Sequence, residues 1–478
     1  MIVEKIKLKE KIGYGFGDAA SSMFWKIFGM YSLFFYTDVF GITAAAAGTM
    51  FLVARLWDSF FDLFVGIISD RTKSRYGKYR PFLLWFAIPF AVTGAITFFS
   101  PGFGQTAKLV YAYITYSLMM IVYSLINVPY ASLLGAISPN PAERNSLSSY
   151  RMSFAFIGSF VTFMLLQPLI DFFAKNFGGA GIIHTPQDAV STVSTSPIGW
   201  VMGVGSVGVI CVVLFLLCFS WTKERVQQIE SEENVSVKQD LKNLLRNTPW
   251  WILVGTGLAA LLFNAIRDSV AIYFFRDYVK LNYKMPGTGW DMTTIYFLVG
   301  QAANLVGVMA APSISARYGK KRTYMIAILM AGALSTGFYF IPNDIVAILV
   351  FQFMISIFAG YVLPLLWSMF ADIVDHQELL TGRRATGLIF SSSSMSQKLG
   401  WALGSAMSGW ILAIFNYVPD ALQQSRQTIS GEHVMISLMP AVCSILAFVG
   451  MLFYPLSDKK VKEISEQLNM KRNNDKSQ

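Results

Sequence analysis

DRTKSRYGKYRP, residues 70–81, follows a long apolar run and carries five basic side chains, Arg71, Lys73, Arg75, Lys78 and Arg80. Its core, Arg75-Tyr76-Gly77-Lys78-Tyr79-Arg80, returns as Arg317-Tyr318-Gly319-Lys320-Lys321-Arg322. Upstream of each copy a second match recurs, Phe51-Leu52-Val53 and Phe297-Leu298-Val299. Two copies at matching places behind matching apolar runs imply a chain built from two related halves.

A membrane-crossing helix needs about 20 mostly apolar residues. About twelve stretches qualify, at 12–38, 43–68, 82–100, 108–136, 149–174, 198–221, 250–276, 293–315, 324–341, 345–370, 386–415 and 434–455. Each copy of the basic motif follows the second stretch of its half. Connectors alternate in charge. Those after the second, eighth and tenth stretches are rich in Lys and Arg, as are both termini, whereas TDVFGIT has no basic residue and PGFGQTAK only Lys108. Positive connectors stay in the cytoplasm, so both termini are expected there.

The expected fold is therefore an all-α membrane protein. Twelve transmembrane helices form two pseudo-symmetric six-helix bundles, which is the major facilitator architecture with its substrate bound between the halves. The bundles are expected at residues 1–221 and 250–455, with a polar cytoplasmic linker at 222–249 and a cytoplasmic tail at 456–478.

Composition agrees. Of 478 residues 54% are hydrophobic and 14% charged, against about 25% charged in soluble domains. That excludes a disordered chain and an ordinary cytosolic enzyme. The net charge of +10 reflects basic connectors and termini rather than a nucleic-acid surface. Cys211, Cys218 and Cys443 lie in apolar runs, without metal or disulfide spacing. The N-terminus shows no cleavable signal pattern. No phosphate-binding loop is present, so ATP is not expected to drive the protein.

Charge inside a bilayer costs about 2.5–3.5 kcal/mol per residue on insertion scales. Intramembrane charges therefore mark candidate functional positions. In VARLWDSFFDLFVG (53–66), Asp58 and Asp62 are four apart on one helix face. Two carboxylates in a low dielectric cannot both stay ionised without a counter-charge. A monovalent cation, a proton or an arginine such as Arg55 would supply it. In the register of the repeat, Asp58 aligns with Asn304 and Asp62 with Val308. Helix association alone does not demand the acids, and one cation site in the first half is expected.

In YGFGDAASSMFWK (14–26), Asp18, Ser21, Ser22 and Trp25 share a helix face. An acid, hydroxyls and an indole suit a sugar; a polar helix–helix contact is the plainer reading. Asn127 and Pro129 of the fourth stretch suit a cavity wall, and Arg151 at the start of the fifth could reach the cavity or gate it. Lys398 follows the small polar run of residues 391–397 and could face the acid pair. Arg75, Asp372, Asp375 and Arg383 read as cytoplasmic gate charges, Asp372 and Asp375 standing opposite Arg383 and Arg384.

At these residues the chain resembles the glycoside–pentoside–hexuronide:cation symporters, a major facilitator branch that includes the melibiose carrier. The matching segments are GYGFGDAASSMFW, YTDVFGITAAAAGTMFLVARLWDSFFD, DRTKSRYGKYRPFLLW, NVPYASLLGAIS and ADIVDHQELLTGRRATGLIFSSSSMSQKLGWALGS. The resemblance implies cation-coupled uptake of a sugar or glycoside across the inner membrane of a bacterium by a monomeric transporter, not an enzyme. The coupling ion would be Na⁺, H⁺ or Li⁺. The family's cation-site acids match Asp58 and Asp62, its mid-membrane lysine matches Lys398, and its arginine opening the fifth span matches Arg151; with the residues read above, the expected substrate site is Asp18, Ser22, Trp25, Asn127, Arg151 and Lys398. The chain departs from melibiose-type members at Ser21, Ser22, Asn127 and Ala131. The alternative is a uniporter or proton-coupled exporter of the same fold.

Overall fold

The structure is a computed structural model that describes residues 6–138, 141–178, 194–225, 242–280, 285, 288–341, 344–381, 386–419, 421 and 423–477. Helices dominate these residues. In chain order they are α1 (Leu8–Lys26), α2 (Ala44–Arg71), α3 (Arg80–Thr97), α4 (Gln105–Ile137), α5 (Pro141–Phe177), α6 (Pro197–Trp221), α7 (Thr248–Tyr273), α8 (Met292–Tyr318), α9 (Lys320–Phe338), α10 (Ile345–Thr381), α11 (Thr386–Ile414), α12 (Arg426–Leu452) and α13 (Asp458–Ser477). Each apolar stretch of the sequence falls on one of the first twelve.

Among the described residues, eight helical segments are long and apolar enough to cross a membrane by length and composition. They correspond to α3 to α8, α10 and α12. Two helices end in wider, π-helical turns. The path begun by α1 continues through Ile27–Tyr31 and Ser32–Phe34 to Phe35–Val39, and α7 runs into Phe274–Val279. Such turns recur at functional sites.

Sequence chemistry sets several starts. The Thr43 hydroxyl accepts from the Ala46 amide at 3.3 Å to cap α2, and Ser196 caps α6 just before Pro197. Gly77 and Gly319 precede α3 and α9 with φ of 108° and 88°. That backbone region is one side chains avoid, so the motif needs its glycine.

The chain divides into two compact units. One comprises residues 1–230, 269–298 and 405–432; the other comprises 231–268, 299–404 and 433–478. The first unit is organised around aromatic rings. Phe98 stacks on Trp200 at 5.8 Å, and Phe35, Tyr31 and Phe34 close around the same indole. Small residues let backbones approach: a side chain at Gly158 would strike the Ala19 carbonyl, and one at Gly48 the Ala406 carbonyl. The second unit buries an aliphatic cluster including Leu253, Ile328, Leu366, Met369, Ile373 and Met451.

Candidate functional site

One group of buried charges in the first unit lies where α1, α2, α4 and α5 meet. Asp58 is 5% exposed and accepts the Ser124 hydroxyl of α4 at 2.6 Å. Ser124 is fully buried. Asp62, one turn on, belongs to the same helix. Arg55, 3% exposed, donates from Nε to the Tyr116 hydroxyl at 3.3 Å and lies over the Trp25 ring at 4.8 Å. The indole expected to offer its face to a ligand thus has a guanidinium on it.

A second charged centre stands beside the first. Arg151 of α5 donates from Nε to Asp18 of α1 at 2.7 Å. The guanidinium also lies over the Tyr130 ring, 5.2 Å from its centre. Tyr130 stacks on Tyr14 at 4.8 Å, and its hydroxyl donates to the Tyr14 carbonyl at 2.7 Å. Gly17 makes this possible, because a side chain there would enter the Tyr130 ring. The cation–π contact and the ion pair hold Arg151 in one geometry.

Tyr123 joins the two centres. Its ring lies 5.9 Å from that of Trp25. Its hydroxyl sits against Asn127 and within electrostatic reach of Asp18, Asp58 and Arg55. Among the described residues the buried Asn127 amide nitrogen makes no well-formed hydrogen bond, with the Tyr123 hydroxyl beside its side chain. Ser22 and Trp25 are half-buried on the same helix, whereas the Ser21 hydroxyl turns back to the Gly17 carbonyl at 2.9 Å.

The structure therefore brings Asp18, Trp25, Asn127, Arg151 and Asp58 together around Tyr123. Lys398 is half-buried in α11, in the second unit. Of the expected gate charges, Arg75 is exposed and stacks on the ring of its neighbour Tyr76 at 4.6 Å. Asp372 receives the Lys320 ammonium on both oxygens at 2.8 Å. Asp375 is half-buried in α10, and Arg383 and Arg384 lie outside the described residues.

Sequence reading missed Tyr14 and Tyr116, which seat the two arginines, and Ser124 as the partner of Asp58. Ser124 stands three residues before Asn127, a helical-face spacing that was readable. Nothing local announces the tyrosines, which are two among 21.

A multi-helix membrane protein with ionisable groups paired inside its helices has the build of a transporter. The sequence model of the MFS/sugar transport protein family matches residues 13–458, and the chain belongs to that family, whose members are transporters and not enzymes. It is 34% identical over 460 residues to the isoprimeverose transporter of Lactiplantibacillus pentosus, covering 96% of this chain and 90% of that one. It is 32% identical over 467 residues to an inner membrane symporter of Escherichia coli (strain K12), covering 97% and 95%. It is likewise 32% identical over 479 residues to the glucuronide carrier protein homolog of that strain, covering 98% and 97%.

Among solved structures it resembles a bacterial homolog of the human lysosomal transporter Spinster, inward-facing and unoccupied. The TM-score is 0.65 at 11% identity, with 96% of this chain and 97% of that one covered. The nucleoside transporter NupG gives 0.62 at 15% identity, covering 95% and 100%. At such identity these two likenesses speak for the fold alone.

Proposed function

We propose that the chain is a twelve-span symporter that moves a sugar or glycoside together with a monovalent cation by alternating access. The observation that carries this reading is the buried Asp58–Ser124 contact standing beside the Asp18–Arg151 pair, both within reach of Tyr123. Carboxylate and hydroxyl oxygens form a hard donor set of the kind that alkali cations take. Asp58 and Asp62 hold the cation. Asp18, Ser22, Trp25, Asn127 and Arg151 hold the sugar, through charged and neutral hydrogen bonds and an aromatic wall. Lys398 links the two ligands.

Cation binding neutralises the acid pair, which favours the sugar-binding arrangement. The coupling is reciprocal, so sugar tightens cation binding by the same factor. The relatives' names point the same way, being a symporter, an isoprimeverose transporter and a glucuronide carrier homolog. The basic connectors favour an orientation with both termini in the cytoplasm of a bacterium, and six-helix bundles at 1–221 and 250–455 would leave 222–249 as the linker between them. Arg75, Asp372, Asp375 and Arg383 serve as cytoplasmic gate charges.

The test is uptake into proteoliposomes under imposed Na⁺, Li⁺ or H⁺ gradients, with labelled neutral glycosides, pentosides and hexuronides. Accumulation above the external level with one cation names both ligands. Equilibration alone under every gradient would replace symport with uniport.

A further inference from the structure

At the end of the first unit opposite the Arg75–Arg80 motif lies a charged cluster that the symport reading leaves unused. Asp38, in the π turn Phe35–Val39, is 3% exposed and accepts the Arg276 guanidinium and the Tyr417 and Thr37 hydroxyls. Arg276, in the turn Phe274–Val279, also grips Asp277 with two bonds, Nε to Oδ1 at 2.9 Å and Nη2 to Oδ2 at 2.7 Å. The same Nη2 donates to the Tyr417 hydroxyl at 2.7 Å. Four of the five N–H groups of this arginine therefore go to Asp38, Asp277 and Tyr417.

Glu432, in the second turn of α12, is 0% exposed. Among the described residues no donor reaches either of its carboxyl oxygens. Its carboxyl faces that of Asp277 within hydrogen-bonding reach, with Arg276 and Asp38 beyond. Tyr273 stands on the same side, its hydroxyl 2.8 Å from that of Thr37. His433, next in the chain, stacks on Tyr339 at 4.7 Å.

Three buried carboxyl groups thus stand around one guanidinium that binds only two of them, Asp38 and Asp277. Two carboxylates cannot face one another ionised in such a place, and an unpaired buried charge is prohibitively costly. One proton eases both conflicts: Glu432 becomes a donor to Asp277 through one of its two orphaned oxygens, and a single charge remains where two faced each other. A metal ion fits less well, since no group of three or more His, Cys, Asp or Glu among the described residues is placed to hold one.

We propose that Glu432 and Asp277 form a proton-binding site, separate from Asp58 and Asp62, which holds one shared proton while Arg276 bridges Asp38 and Asp277. The proton enters from water and binds a Glu432 oxygen; no covalent bond other than O–H forms or breaks. The site gives the protein a response to pH that is independent of which cation drives transport.

Infrared difference spectra of the full-length protein in lipid, recorded while pH is raised from neutral, test this directly. The wild type should lose a protonated-carboxyl band, and that band should be absent from Glu432→Gln and shifted or absent in Asp277→Asn. It should persist in Asp62→Asn, which separates it from the proposed cation site. Glu432→Gln keeps the shape and donor of the protonated acid, so it should fold and melt as the wild type does. Should it fail to fold, Asp277→Asn carries the test. A band unchanged in both variants would overturn the proposal. So would a band present only in sodium-free buffer and displaced by Na⁺, which would make the ligand a metal ion. Neither result bears on cation-driven uptake, so this site and the symport reading stand or fall separately.

Discussion

The two copies of the Arg-Tyr-Gly-Lys motif share a device and differ in how firmly it is held. In the first, the Glu224 carboxylate accepts the amides of Lys78, Tyr79 and Arg80 at 2.7, 2.8 and 2.8 Å, covering the start of α3. In the second, Asp458 accepts the amide of Lys320 at 2.8 Å at the start of α9. Both acids come just after a helix that ends its half of the chain, α6 and α12, and both sit where a glycine with positive φ leaves room. A carboxylate at a helix N-terminus satisfies orphan amides and meets the positive end of the dipole. The scaffold is thus repeated, while the helices leading into it are not equivalent: α2 carries Asp58 and Asp62, where α8 has Asn304 and Val308. Repetition marks what the fold requires, and the proposed cation site rests on the asymmetry.

The sharpest way to break this comparison is to make α2 resemble α8. Asp58→Asn should abolish cation-driven accumulation while leaving the fold intact. Coupling free energies of about 1–3 kcal/mol correspond to affinity changes of roughly 5–150-fold; in the variant the cation's effect on sugar affinity should fall to none. Sugar titrations by calorimetry with and without the cation measure it. An undiminished effect would remove Asp58 from the cation site.

Arg151→Ala should come next. It leaves Asp18 buried without its partner and bares the Tyr130 face. Breaking a buried pair from one side costs about 3–5 kcal/mol; Arg151 is 28% exposed, which places the loss toward the lower figure. Melting temperature and sugar affinity should both fall. The double variant Asp18→Asn/Arg151→Gln should recover the stability and not the affinity. Recovery of both would make the pair purely structural.

Much of this architecture was legible in sequence because its physics is local. Apolar runs long enough for a bilayer fall on helices, and the four-residue spacing of Asp58 and Asp62 fixes their shared face. What remained hidden depends on chain segments far apart. Lys320 reaches Asp372 from a different helix, and nothing near Asp372 in sequence announces it. Asp38, Arg276, Tyr417 and Glu432 end or begin four separate helical stretches, and nothing local says that they meet. Trp25 was legible as an indole on a polar face, but not as the platform for Arg55, which comes from α2.

The glycines allow a finer comparison. Gly77→Ala and Gly319→Ala each force a side chain into a backbone region costing about 1–3 kcal/mol. Each added methyl would also meet the capping acid. Displacing Glu224 releases three amides and displacing Asp458 releases one, so Gly77→Ala should lower the melting temperature further. Equal losses would mean that backbone strain alone sets the cost.

The smallest effects isolate the caps themselves. In Glu224→Gln one oxygen can still take the amides of Tyr79 and Arg80, which share Oε1. The new amide group then faces the Lys78 N–H, donor against donor, where Oε2 had accepted. One charged hydrogen bond is lost, and the cost should be about 1–2 kcal/mol because Glu224 is half-buried. In Asp458→Asn the remaining oxygen keeps the single Lys320 amide and the new amide group turns to water, since Asp458 is exposed. Only the charge–dipole attraction disappears, about 0.3–0.5 kcal/mol at low salt. Added salt should erase that second loss by screening and leave most of the first. Thermal melts of both variants at low and high salt measure the difference. Equal losses at low salt, fading together at high salt, would show that the two caps are worth the same and that charge alone accounts for both.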